Sequence, residues 1–102
     1  MQTILSIDTA LSETVHVTLD YAGGRIEKTS QSRVMKAQMV LPLIEEILKE
    51  SGITSSDISE IRVAQGPGSF TGVRVGVAIA NALGTLLDIP VNGKRALALP
   101  HY

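Results

Sequence analysis

A chain of 102 residues has room for one domain with a real core but not for two lobes. Nine basic and ten acidic side chains leave a net charge of −1, which supplies no electrostatic footprint for nucleic acid and argues against direct nucleic-acid binding. The absence of cysteine excludes disulfides and thiolate metal sites and fits a reducing compartment. Met1–Ala10 has no basic start and carries Asp8, so no secretory signal is read there. The apolar run from Val75 to Leu87 is too short to span a bilayer and is interrupted by Asn81 and Thr85, so a cytoplasmic protein is expected.

Taken in chain order, Ile4, Leu5 and Ile7 predict a compact buried strand that ends at Asp8-Thr9. Thr14 to Asp20 alternates, with Val15, Val17 and Leu19 on one face and Thr14, His16, Thr18 and Asp20 on the other, as in a half-buried strand. Tyr21 to Gly24 turns the chain into a more polar strand, Arg25 to Thr29, placed at the sheet edge. Three strands joined by short turns imply an antiparallel meander. From Ser32 to Ser51 the spacing predicts an amphipathic helix with Gly52 as its left-handed stop and a kink or irregular first turns at Pro42. It carries two apolar stripes. Val34, Ala37, Leu41, Ile44 and Leu48 form one, and Met35, Met39, Leu43 and Ile47 the other, more apolar surface than one sheet contact needs. Thr54 to Asp57 is a polar connector to a fourth strand, Ile61 to Ala64.

The most informative stretch follows. Gln65 to Arg74 reads Gln-Gly-Pro-Gly-Ser-Phe-Thr-Gly-Val-Arg, a sharply turned junction between a strand and a long helix. Gly66 and Gly68 tolerate positive φ, Pro67 fixes the bend, and Ser69 or Thr71 can cap the helix. The loop either presents bare amides to an anion or a partner, or serves only as a tight turn. Neither nucleotide template fits, since G-x-G-x-x-G and a closing Lys-Ser/Thr are both missing. The helix, Val73 to Leu87, is apolar or small on nearly every face, and Gly72, Gly76, Ala80 and Gly84 recur at four-residue spacing. That strip admits close helix packing, either on the domain's own sheet or on a partner. Asp88-Ile89-Pro90 breaks the helix, Val91-Asn92 begins a fifth strand, and Gly93-Lys94-Arg95 turns into Ala96–Leu99.

Gly66 to Arg74, the opening Ile4-Leu5-Ser6-Ile7-Asp8-Thr9-Ala10 and the run Leu41-Pro42-Leu43-Ile44 closely resemble the bacterial TsaB (YeaZ) family, in the same order and over nearly the whole chain. The resemblance implies an α/β fold, a single actin-like ATPase (RNase H-like) lobe with a five-stranded mixed sheet and two main helices. Residues 1–102 would form the N-terminal lobe, without the second lobe of the family, as a fragment or as a natural one-lobe form. It also implies a non-catalytic subunit that pairs with the catalytic TsaD protein and the ATPase TsaE to place threonylcarbamoyl on an adenosine of tRNA. Lys36-Ala37-Gln38 stands where family members carry His-Ser-Glu, and this helix lacks the histidine pair with which TsaD relatives hold a metal.

Three functions are weighed. The first is a scaffold that docks a TsaD-like chain or a second copy through Met35, Met39, Leu43, Ile47, Gly72, Gly76, Ala80 and Gly84, with the signature loop of Gly66, Pro67, Gly68, Ser69, Phe70, Thr71 and Arg74 beside them; it requires no cofactor. The second is a nucleotide-binding lobe that uses ATP and Mg at Asp8 and Thr9 together with the Gly66 to Gly72 loop, although no Lys or Arg accompanies Asp8 in its turn. The third is a peptidase, which the sequence disfavours, since its histidines, His16 and His101, form no H-E-x-x-H and no base accompanies Ser69.

Overall fold

The computed structural model describes residues 2–10, 14–31, 36–66 and 70–94. Strand β1, Ile4–Asp8, runs antiparallel to β2, Thr14–Tyr21, and parallel to β4, Glu60–Val63, while β3, Gly24–Gln31, pairs antiparallel with β2. The order β3-β2-β1-β4 puts the meander on one side and the parallel pair on the other, with the polar strand β3 at the edge as its composition predicts.

The registers explain the layering. Leu19 faces Leu5 and Leu5 faces Ile61; Val17 faces Ile7 and Ile7 faces Val63. Period-two alternation therefore gathers these six side chains, with Val15, on one surface, where all are buried. Helix α1, Lys36–Ser51, covers β2 and β3, and helix α2, Phe70–Leu87, covers β1 and β4. The two helices also touch each other, so the protein is one helical layer on one sheet, with a single apolar core between them.

Helix α1 runs without interruption through Pro42, which lies exposed and leaves the Gln38 carbonyl without its ladder N–H. The expected stop is present. Gly52 adopts φ +74 and its N–H donates to the Leu48 carbonyl at 3.0 Å.

The expected fifth strand is not formed among the described residues. Val91 makes a single parallel bridge to Ile61 and then bonds back to Lys94 in both directions. Asn92 at φ +52 and Gly93 at φ +79 form the reversing two-residue turn that Asn-Gly favours, because both central positions need positive φ. Among the described residues the sheet has four strands.

The apolar stripes also resolve differently from the expected partner face. Ile47 is fully buried and Leu43 nearly so, because their stripe, together with Val40 and Ile44, is the one laid on β2 and β3; Met39 is half-buried and packs against the same core. Gly72, Gly76, Ala80 and Gly84 are likewise buried. A Cβ at Gly76 would collide with Thr9 Oγ1 and approach Val63 Cγ2 to 3.4 Å; one at Gly84 would collide with Val91 and come within 3.2 Å of the Ile89 carbonyl. The missing side chains let α2 lie close to its own sheet. Met35 lies outside the described residues.

Candidate functional site

Among the described residues, two surfaces carry side chains that the sequence singled out. The first is the carboxyl end of the parallel pair, where Asp8 and Thr9 leave β1 and Ala64, Gln65 and Gly66 leave β4 toward α2. Asp8 is exposed and its Oδ1 accepts the Ala10 N–H at 2.9 Å, a local turn closed by the carboxylate itself. Thr9 is fully buried and its hydroxyl donates to the Gly72 carbonyl. That bond ties the end of β1 to the first turn of α2 across 63 residues. Both residues expected at a nucleotide or metal site thus have structural work in this chain. Arg74 is exposed one turn into α2. Pro67, Gly68 and Ser69, and the side chains of Phe70 and Thr71, lie outside what the structure describes. Gly66 takes φ +116, the left-handed conformation that its place in the loop suggested.

The sheet face opposite the helices holds a shallow depression of about 330 Å3 lined by Ser6, Asp8, His16, Thr18, Arg25 and Arg62, among others. Sequence reading passed over it, because its residues come from four strands and only the polar side of β2 marked it. Its cations are already matched. Arg25 Nε lies 3.1 Å from Glu27 and 3.6 Å from Asp20, and Arg62 lies 3.7 Å from Glu60. Exposed pairs of this kind are each worth about 0–1 kcal/mol, yet they leave the depression without a positive excess to hold an anion. Among the described residues no group of three or more His, Asp or Glu side chains is placed to hold a metal ion.

The second surface is the outer side of α2. With Gly72, Gly76, Ala80 and Gly84 turned inward, a helical repeat of 3.6 residues turns Arg74, Ala78, Ala82 and Leu86 outward. All four are exposed, Leu86 at 79%. Val75, Ile79 and Leu83 lie half-buried on one flank and Asn81 on the other, while Thr85 is exposed on the outer side. Arg74 is the sole charged residue in the eighteen of this helix. On α1, Leu41 is 50% exposed. The small-residue strip expected at Gly72, Gly76, Ala80 and Gly84 is buried against the chain's own sheet, and the exposed small residues of this helix are instead Ala78 and Ala82, about half a turn away. None of the described helices is long and apolar enough to cross a membrane.

The fold and this surface can be set beside known proteins. The model of the TsaD family, described as tRNA N6-adenosine threonylcarbamoyltransferase, matches residues 28–97. The chain belongs to this TsaD-type family, on its TsaB (YeaZ) side. The TsaB of Haemophilus influenzae, a tRNA threonylcarbamoyladenosine biosynthesis protein, is 38% identical over 89 residues, which cover 87% of this chain and 37% of that protein. TsaB of Escherichia coli is 42% identical over 60 residues, 59% of this chain and 26% of the relative. The solved structure of YeaZ from Pseudomonas aeruginosa superposes with a TM-score of 0.85 at 33% identity, over 89% of this chain and 42% of that one. The chain spans well under half the length of these relatives. The actin-like α/β architecture is thus supported by sequence and by shape together.

Proposed function

We propose that this chain is a TsaB-type, non-catalytic subunit in tRNA threonylcarbamoyladenosine biosynthesis, and that it docks a TsaD-like catalytic subunit on the outer side of α2. The observation that carries the reading is the row Ala78, Ala82 and Leu86, exposed along a helix whose inner side is already buried. Two alanines four residues apart let a second helix approach closely, and Val75, Ile79 and Leu83 beside them offer apolar area to bury. Burial of such area contributes roughly 25 cal/mol per Å2. A continuous apolar row on a helix is the kind of surface that marks a protein contact. A TsaE-like ATPase joins the assembly by the same family resemblance, and a second copy of the chain takes the face when the catalytic subunit is absent.

Sedimentation velocity of the chain mixed with a TsaD-like subunit tests this reading. The wild-type chain is expected to co-sediment with the subunit and to self-associate when alone at micromolar concentration. The double variant Ala78→Glu/Ala82→Glu is expected to remain monomeric and separate while unfolding at the wild-type urea midpoint. A wild-type chain that stays apart from the subunit, or a double variant that still co-sediments, would refute it.

A further inference from the structure

The turn after α2 meets both ends of the segment that contains the glycine loop. At the helix end, the Ile89 N–H donates to the Gly84 carbonyl at 3.0 Å. At the sheet, the Ile61 N–H donates to the Pro90 carbonyl at 3.0 Å and the Asn92 N–H to the Ile61 carbonyl at 2.8 Å. A regular parallel strand would next receive the Val63 N–H on a main-chain carbonyl. The chain has reversed at Asn92-Gly93 by then, and a side chain takes the place of the strand. Asn92 Oδ1 accepts the Val63 N–H at 2.9 Å, and Asn92 Nδ2 donates to the Val63 carbonyl at 3.1 Å and to Gln65 Oε1 at 2.9 Å.

We infer that Asn92 is a positioning residue for the glycine loop, its carboxamide standing in for the peptide unit of an absent strand and fixing the chain where it leaves β4. A carboxamide is the side chain suited to this, since it both accepts and donates with the same atoms as a peptide group. Asn also tolerates the positive φ that the turn demands at that position. The edge N–H and C=O of Val63 need partners in any case; by drawing them from residue 92, the protein pins residues 63 and 65 to a point beyond the far end of α2. Gly66 follows directly, so its left-handed step starts from a held residue. On the other side Ala64 donates its N–H to the Ile7 carbonyl at 3.1 Å, and the exit from β4 is clamped from both edges. The inference concerns the free chain and stands whether or not the docking reading holds.

Amide hydrogen exchange by NMR on the whole chain tests it. Asn92→Gly keeps the positive φ and removes the carboxamide. In that variant the Val63 amide, which donates to Asn92 Oδ1, should exchange at least about tenfold faster, while amides of the β1–β2 ladder keep their wild-type rates. Gln65→Ala removes one partner of the carboxamide and should speed exchange at Val63 to a smaller extent. An unchanged Val63 rate in Asn92→Gly would overturn the inference, as would equal acceleration throughout the sheet, which is what a general loss of stability produces. If Asn92→Gly fails to fold, Gln65→Ala decides: faster exchange at Val63 with the β1–β2 ladder unchanged supports the role, and an unchanged Val63 rate overturns it.

Discussion

The two sides of α2 are made of nearly the same material and do opposite things. The inner side, Gly72, Gly76, Ala80 and Gly84, has so little side chain that the helix settles onto Thr9, Val63 and Val91. The outer side carries Ala78, Ala82 and Leu86 and is apolar apart from Arg74 and Thr85 among them, yet the chain leaves it exposed. What separates them is contact distance rather than hydrophobicity. A glycine can face another backbone where an alanine cannot, and that difference decides which side meets the sheet.

Substitutions that enlarge each side should break this contrast unequally. Gly76→Leu has the largest expected effect, a loss of about 3 kcal/mol in urea unfolding, because the new side chain must displace both the buried Thr9 hydroxyl and Val63. Gly84→Ala is milder. Its methyl meets Val91 and the Ile89 carbonyl, but a helix gains roughly 1 kcal/mol when glycine becomes alanine, so a net loss of about 1 kcal/mol is expected from the same measurement. Ala82→Glu, one turn from the helix end and on the outer side, should change stability by less than about 0.5 kcal/mol while abolishing co-sedimentation with a TsaD-like subunit.

The smallest predicted effect lies away from both sides. The Thr54 N–H and hydroxyl donate to the Asp57 carboxylate at 3.1 and 2.9 Å, and these bonds, the backbone one first, hold its pKa below the usual carboxylate value. A lowered folded pKa stabilises the protein above the unfolded value near pH 4, and the gain is lost as the pH falls through the folded one. The difference in urea midpoint between wild type and Asp57→Asn should accordingly shrink between pH 6 and pH 3.

Much of this architecture could be read before any coordinates. The alternation of Val15, Val17 and Leu19 marked the buried face of β2, Gly52 marked the end of α1, and the run from Gln65 to Arg74 marked the strand-to-helix junction and the family. What escaped was set by contacts distant in sequence. In α1, Leu41 and Leu43 are both apolar and stand about half a turn apart; only the position of β2 and β3 decides that Leu43 is buried and Leu41 left half exposed. In α2 a helix apolar all round gives no amphipathic signal to orient it. Asn92-Gly93 is a different case, since the dipeptide is itself a turn signal, but Val91 beside it invited a strand. The actual arrangement, one bridge followed by a side chain that takes over the strand's bonds, depends on Val63, 29 positions earlier in the chain.

Because the chain has no cysteine, single thiols can report on each side of α2 directly. In Ala80→Cys and Ala82→Cys, maleimide labelling of the native proteins should differ sharply: Cys at the outer position reacts at the rate of a free thiol and is shielded once a TsaD-like subunit is added, while the inner one reacts only after denaturation. Equal labelling at the two positions in the native chain, or an outer thiol that the subunit leaves fully reactive, would contradict the account.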